Sequence, residues 1–181
     1  GVLLLIALIS YSPSDPNFIF SENTQIDNLL GFRGSYVSDL FFQSIGFIAY
    51  LIPLTYIFTG INIFKKKEIF LFIENSFFIV IYSFIGSFFF SYFYKDAFTF
   101  YINGNGGFVG NYLNQTFIIN IINSNQNIFY FILAIIVTII FLLSINFNPK
   151  NFILGLKKVI QIFFGSKSKN YTNENEIINE Y

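Results

Sequence analysis

The amino-acid sequence predicts an all-α membrane protein with four transmembrane helices, the first of them truncated. Three observations favour this fold class: long apolar blocks separated by polar stretches, a mean hydropathy of +0.61, and only 11% charged residues among 181. Soluble domains carry about 25% charged residues, whereas a helix that crosses a bilayer core needs about 20 apolar residues. The composition therefore argues against an ordinary soluble domain.

Four apolar blocks define the predicted spans. The first, residues 1–10, is too short to cross a core of ~30 Å, because a helix rises ~1.5 Å per residue. The chain also begins without Met, so we expect the natural protein to start upstream. The other spans are residues 39–64, 77–93 and 128–145. Together with their connections they form a predicted four-span membrane domain, residues 1–148.

Lysine placement predicts the orientation of the spans. Lys65, Lys66 and Lys67 lie between the second and third spans. More lysines follow the fourth span, namely Lys150, Lys157, Lys158, Lys167 and Lys169. The other two connections contain only Arg33 and Lys95 as basic residues. The positive-inside rule then places both termini and the Lys65–Lys67 loop in the cytoplasm, and residues 10–38 and 95–127 on the external side of the membrane.

The first external connection contains residues that are expected to end one helix and to precede the next. Pro13 and Pro16 are expected to end the first span, because proline lacks an amide donor, and Asp15 lies between them in the predicted turn. We expect Gly31 and Gly34 to loosen the chain just before the second span.

The start of the second span is predicted from its polar residues. Ser35 or Ser38 could cap the helix with a side-chain oxygen. Asp39 would then lie in the first turn, where a carboxylate suits the positive end of the helix dipole.

The second external connection and the C-terminal part are each predicted to hold one helix. Residues 108–122 are weakly amphipathic and follow a glycine cluster, which favours a short external helix at the membrane interface. Residues 149–165 predict a cytoplasmic juxtamembrane helix with lysines on its polar side. Residues 166–181 are polar and are expected to begin a disordered linker.

No catalytic, metal or cofactor site is predicted. The chain has no Cys and no His, so thiolate chemistry and imidazole ligands are excluded. The glycines of the second connection lack the preceding strand and following acidic residue of a dinucleotide loop, and Gly165–Ser168 lacks the glycine spacing of a phosphate-binding loop. A carrier needs an ionisable group near mid-bilayer, whereas the carboxylates here map near span ends.

Small residues recur on two of the predicted spans and favour close helix packing. In the second span they follow spacings of three and four residues, and in the third span a serine recurs every fourth residue. We expect the two faces to meet. The predicted packing residues are Gly46, Ala49, Pro53 and Gly60 in the second span, and Ser83, Ser87 and Ser91 in the third.

Residues 8–53 carry a family resemblance. The segment Leu8–Pro16 reads LISYSPSDP, and Asn28–Pro53 reads NLLGFRGSYVSDLFFQSIGFIAYLIP. Both resemble the N-terminal four-span membrane domain of the FtsK/SpoIIIE DNA translocases. The matching positions are Asn28, Gly31, Gly34, Ser38, Asp39, Phe47, Ala49, Tyr50 and Pro53.

The resemblance implies a membrane anchor that targets a DNA translocase to the division septum and supports its assembly. It implies a role in cell division and chromosome segregation, contact with other septal membrane proteins, and a homo-oligomer, a hexamer by resemblance. The ATP-driven motor would lie beyond residue 181, so the chain itself is expected to be no enzyme and to bind neither DNA nor ATP. Asp39 with the Gly31/Gly34 pair is expected to shape the external surface.

Two other function classes stay open from the sequence. One is a small four-span transporter or channel subunit, and the other is a membrane scaffold that carries no motor. A phosphate-binding loop after a long linker, in the reading frame past residue 181, would distinguish the translocase from both.

Overall fold

A computed structural model describes residues 1–16, 25–95, 97, 103–116 and 118–164 of the chain. The chain divides into two compact units, residues 1–146 and 147–181. Every regular element in the described residues is helical, which confirms the predicted all-α fold class. The helices are α1 (Val2–Ile9), α2 (Gly31–Ile45), α3 (Leu51–Lys66), α4 (Leu71–Phe93), α5 (Gly107–Leu113), α6 (Ile118–Asn123), α7 (Gln126–Ser144) and α8 (Pro149–Phe164), with a 3-10 segment, Gly46–Tyr50, between α2 and α3.

Among the described residues, three helical stretches are long and apolar enough to cross a membrane. They are Gly31–Lys66, Leu71–Phe93 and Gln126–Ser144, and they correspond to the second, third and fourth predicted spans. The helix α1 is 8 residues long and packs against α2 and α3. In the first unit α4 lies between α3 and α7 and contacts both.

The second span is not the continuous helix over residues 39–64 that the sequence predicts. It begins earlier, at Gly31, and its α-helical geometry is interrupted at Gly46, whose φ is +69°. The Phe47 amide donates to the Asn105 carbonyl over 2.8 Å, so it leaves the helical hydrogen-bond pattern. The break thus coincides with a polar contact to a distant connection. Pro53, which has no amide donor, lies in the first turn of α3 just after it.

The remaining helices differ from prediction mainly at their boundaries. The third span begins at Leu71 rather than residue 77, and Glu74 lies in its first turn. The single interfacial helix predicted over residues 108–122 is wrong, because α5 ends at Leu113 and α6 begins at Ile118. In the second unit α8 covers Pro149–Phe164, and the predicted linker, residues 166–181, lies outside the described residues.

Two apolar clusters fill the interior of the first unit. Leu8 of α1 packs with Phe42 of α2 and Ala49 of the 3-10 segment. The second cluster joins Ile48, Ile52, Ile79 and Tyr82. Because lipid tails are as apolar as these side chains, burial adds little to helix association in a membrane, and close packing with hydrogen bonds has to supply it.

Candidate interaction site

Asn28 lies at the centre of a polar cluster that joins the end of α1 to the start of α2. Its side chain is 4% exposed, and its Nδ2 donates to the carbonyls of Ala7 and Ser10 over 2.9 and 3.2 Å. The Leu30 amide donates to its Oδ1 over 3.1 Å. The last carbonyls of a helix have no intrahelical partner, so Asn28 supplies the hydrogen bonds that α1 would otherwise lack.

Asp15 fixes the backbone that carries Asn28. Its carboxylate accepts hydrogen bonds from the Asp27 amide (2.8 Å) and the Asn28 amide (2.9 Å), one to each oxygen. The side chain is buried, and hydrogen bonds to an ionised acceptor are roughly twice as strong as neutral ones. Ser35 of α2 adds a third link, because its hydroxyl donates to the Pro16 carbonyl over 2.7 Å. Pro13 lies in the turn just before Asp15.

The two glycines of this segment lie inside α2 and not, as predicted, in the chain before the second span. Gly31 is the first residue of α2 and has a φ of +62°, a conformation that side chains disfavour. Gly34 lies inside the helix against Asn28. A Cβ at Gly34 would lie 2.0 Å from the Asn28 Oδ1, so only glycine leaves room for the central asparagine.

Asp39 is buried in the interior of α2 and is not a helix cap, because α2 begins about two turns earlier. Its Oδ1 accepts from the Tyr11 hydroxyl over 3.2 Å and from the Gln43 Nε2 over 3.3 Å. Burial, and next the nearby Asp39 carboxylate, raise the pKa of Tyr11, so the phenol stays protonated and remains a donor. Ser35 and Ser38, the predicted caps, also lie inside the helix.

Gln43 extends the same cluster to the second connection. Its Oε1 accepts from the Asn103 amide over 3.1 Å, and its carbonyl accepts from the Asn103 Nδ2 over 3.2 Å. We call the set Tyr11, Asp15, Asn28, Ser35, Ser38, Asp39 and Gln43 the signature cluster, and its end of the first unit the signature end. Sequence reasoning missed Gln43, although an isolated glutamine in an apolar span was a usable signal.

Helix α5 packs on the serine face of α4 through glycines. A Cβ at Gly106 or Gly110 would lie 2.3 Å from the Ser87 carbonyl. The Ser87 hydroxyl donates to the Ile45 carbonyl over 2.9 Å, and the Ser91 hydroxyl donates to the Asn111 Oδ1 over 3.0 Å. Small residues on α4 therefore permit the close approach of α5, while Ser87 also bonds to Ile45 of the second span.

The predicted stripe of the second span does not form one interface with α4. At Gly46, a Cβ would lie 2.0 Å from the Asn105 carbonyl oxygen, so this glycine faces the second connection. Ala49 packs on α1, and the buried Pro53 has its carbonyl beside Gly1. At Gly60 no described atom lies within 4 Å of a Cβ position. The remaining serine, Ser83, is buried with no hydrogen-bond partner for its hydroxyl among the described residues.

The opposite end of the first unit holds a second polar set, between α3, α4 and α7. Thr55 Oγ1 lies 3.1 Å from the Tyr82 hydroxyl and 3.0 Å from the Ser144 hydroxyl. The Asn75 Nδ2 donates to Thr59 Oγ1 over 2.8 Å. All of these side chains are buried. We call Thr55, Thr59, Asn75, Tyr82 and Ser144 the interhelical cluster, and none of its contacts was predicted from the sequence.

Lys65, Lys66 and Lys67 are exposed at the end of α3, which this cluster adjoins. Lys67 has a φ of +57°, and its amide donates to the Ile63 carbonyl over 2.7 Å, so it ends the helix. We call this the lysine end. Within the described part of the chain, no group of three or more His, Cys, Asp or Glu residues could hold a metal ion.

These features define a polytopic membrane domain in which buried polar groups hold helices and connections in place. The family described as the "4TM region of DNA translocase FtsK/SpoIIIE" matches residues 1–153. The chain belongs to this family. The match is to the membrane region of these translocases, as the resemblance of residues 8–53 predicts.

Individual relatives agree with this membership. The DNA translocase FtsK of Rickettsia bellii is 37% identical over 67 residues, which are 37% of this chain and 9% of that protein. The DNA translocase FtsK of Pseudomonas putida is 35% identical over 66 residues, 36% of this chain and 8% of the relative. An uncharacterized protein of Haemophilus influenzae is 33% identical over 70 residues, 38% of this chain and 65% of its own length.

The matched segments thus cover about a tenth of the translocases' length. No solved structure matches the chain.

Proposed function

We propose that the chain anchors a DNA translocase in the bacterial inner membrane and targets it to the division septum, where it supports assembly for cell division and chromosome segregation. The observation that carries the proposal is the signature cluster. The family positions Asn28, Gly31, Gly34, Ser38 and Asp39 all lie in it or limit its geometry. Their shared role is to hold the described parts of this connection, residues 10–16 and 25–30, against α1 and α2, and a recognition surface needs such support.

The surface next to the signature cluster has the character of a membrane-protein contact. Leu29 is 77% exposed and Phe32 50% exposed, and Leu40 is exposed on the same helix. A rigid support lowers the ordering cost of binding. We propose that other septal membrane proteins contact this surface, and that the connection carrying it lies outside the cytoplasm.

Lipids and further copies of the chain are the other proposed partners. Helix α7 exposes a broad apolar face that includes Phe131, Ile135 and Ile139, and such a face is compatible with lipid or with a neighbouring copy in a homo-oligomer. A hexamer follows by resemblance to the family. We propose that ATP and DNA are bound by other parts of the translocase and that this chain performs no catalysis.

The proposed orientation can be tested by cysteine labelling, because the chain has no cysteine of its own. Asn125→Cys and Lys66→Cys both replace exposed residues in the connections proposed to face opposite sides. A membrane-impermeant maleimide should label Asn125→Cys in intact cells and Lys66→Cys only after permeabilisation. Labelling of both from the same side would overturn the orientation.

Septal targeting is tested by the position of a fluorescent fusion of this chain in dividing bacteria. We expect fluorescence concentrated at midcell, with the fusion recovered intact in the membrane fraction. Uniform membrane fluorescence from an intact, inserted fusion would contradict targeting and would favour the transporter or channel-subunit alternative.

A further inference from the structure

Two adjoining cavities lie on one face of α4, toward the signature end. The first has a volume of about 410 Å³ and is lined only by apolar side chains, among them Phe88, Leu113, Ile122 and Leu133. The second has a volume of about 580 Å³ and is lined mainly by polar groups, among them Lys95, Asn111 and Gln115. Both volumes fall within the range of about 300–1,000 Å³ that is typical of ligand sites.

The two cavities are neighbours in the fold, because α4, α5 and α6 each contribute lining residues to both. Helix α4 contributes Phe88 to the apolar cavity and Ser91 to the polar one, less than one turn later. Helix α5 contributes Leu113 to the first, and the next residue, Asn114, lines the second. Together they form a site whose apolar part lies beside Phe84–Phe88 of α4 and whose polar, cationic part lies beside Ser91–Lys95.

The walls of this site are held by hydrogen bonds. The Tyr92 hydroxyl donates to the Asn123 Oδ1 over 2.6 Å and links α4 to α6. The Ser91 hydroxyl, bonded to Asn111, links α4 to α5. The Phe88 and Tyr92 rings stack, with centroids 6.2 Å apart, along the wall shared by both cavities. The site is therefore preformed, and a ligand would not have to order it.

The charge of the site and its expected depth in the membrane indicate the class of ligand. Lys95 follows the end of α4 by two residues, and α4, at 23 residues, has a length of about 35 Å, close to the thickness of a bilayer core. In a bilayer spanned by α4, the Lys95 ammonium group would lie at the level of the lipid headgroups. None of the described residues that line either cavity is acidic, so the polar cavity is suited to an anion.

We propose that this site binds one anionic phospholipid, with an acyl chain in the apolar cavity and the phosphate at Lys95. The amides of Asn111 and Gln115 line the headgroup cavity and suit hydroxyl groups such as those of phosphatidylglycerol. The proposal rests on the proposed placement in the membrane but not on septal targeting. A protein that reaches midcell without the bound lipid would refute the lipid site alone, and a lipid-bound protein that fails to reach midcell would refute targeting alone.

The test is native mass spectrometry of the detergent-purified chain with phosphatidylglycerol, phosphatidylcholine or diacylglycerol. We expect one retained phosphatidylglycerol and little of the others. Lys95→Gln should lower the preference for phosphatidylglycerol over phosphatidylcholine about fivefold, the factor that corresponds to ~1 kcal/mol per lysine near an anionic surface. Lys65→Gln, at the lysine end, should leave the preference unchanged.

Leu133→Trp fills the apolar cavity and should abolish retention of phosphatidylglycerol, whereas Ile132→Trp, on the exposed side of the same helix, should not. A thermal-unfolding measurement on each variant confirms folding. Equal lipid preference in Lys95→Gln and the unmodified chain would overturn the proposal. So would displacement of the lipid by free glycerol 3-phosphate at equal concentration, which would indicate a site for soluble phosphates instead.

Discussion

The two ends of the first unit are held together by different kinds of polar contact. At the signature end, the connection is bound mainly through backbone groups: Asn28 binds two carbonyls near the end of α1, and Asp15 binds two amides. Side-chain pairs such as Tyr11–Asp39 add to these contacts. At the lysine end, side chains bind one another across helices, as in the Thr55–Ser144 and Thr59–Asn75 pairs. The first arrangement fixes the shape of a connection, and the second fixes the packing of helices.

This difference has a functional consequence. Losing a contact at the lysine end weakens packing between α3, α4 and α7 but leaves every backbone group in its own helix. Losing Asn28 removes the donor to the buried Ala7 carbonyl and to the partly buried Ser10 carbonyl, and leaves the Leu29 amide bonded to the Ser10 hydroxyl as a remaining link to the end of α1. The surface proposed for partner recognition should therefore respond to one end and not to the other.

The largest loss of stability is expected for a substitution at Gly46, the point where the second span is interrupted. Gly46→Ala would force a side chain into a positive-φ conformation and place its Cβ 2.0 Å from the Asn105 carbonyl oxygen. We expect the free energy of unfolding, measured by SDS titration in mixed micelles, to fall by about 3 kcal/mol.

Gly60→Ala is the matched control for this change. The helix α3 leaves open space at that position, so alanine should be neutral or stabilise by about 0.5–1 kcal/mol. Equal destabilisation by both substitutions would contradict the break at Gly46.

A somewhat smaller loss is expected for Asn28→Ala. The substitution leaves the buried Ala7 carbonyl, the partly buried Ser10 carbonyl and the Leu30 amide without their partner. Each unsatisfied buried group costs about 1–3 kcal/mol, and water can recover part of this at the partly buried groups. We expect an overall loss of about 2–3 kcal/mol in the same assay. Asn120→Ala, at an exposed position of α6, should change the unfolding free energy by less than about 0.5 kcal/mol. If Asn28→Ala lowered the unfolding free energy no more than Asn120→Ala does, the structural role of the signature cluster would be refuted.

The smallest loss is expected at the lysine end. Thr55→Val keeps the side-chain shape and removes the hydroxyl that joins Tyr82 and Ser144. Hydrogen bonds between membrane helices average about 0.6 kcal/mol, so we expect a loss of about 1 kcal/mol. Thr138→Val provides the comparison, because Thr138 is exposed and bonds only the Ala134 carbonyl of its own helix. A loss for Thr55→Val larger than that for Asn28→Ala would reverse the ranking of the two ends.

The difference between the two ends also explains which features could be predicted from the sequence. Apolar length is a local property, and it located the second, third and fourth spans. The signature cluster was partly visible because all of its residues lie between positions 11 and 43, within the one segment that carries the family motif. Their geometry was not visible: α2 begins at Gly31, so Gly31 and Gly34 lie inside the helix instead of before it, and Asp39 lies about two turns past the start instead of in the first turn.

The features that the sequence did not predict depend on contacts between residues far apart in the chain. The Phe47 amide at the break bonds to Asn105, and the serine face of α4 meets the glycines at α5 as well as Ile45 of the second span. Thr55 and Ser144 are 89 positions apart, and threonine and serine are common in membrane helices for many reasons. A single sequence holds no signal that pairs them.

The central claim is that the signature cluster builds the surface through which this membrane domain reaches the septum. The most direct test compares the midcell fluorescence of fusions carrying Asn28→Ala or Thr55→Val, expressed at equal levels and recovered intact from membranes. The account predicts that Asn28→Ala loses its midcell enrichment, whereas Thr55→Val keeps that of the unmodified chain. Midcell enrichment of Asn28→Ala equal to that of the unmodified chain, or equal loss in both variants, would contradict it.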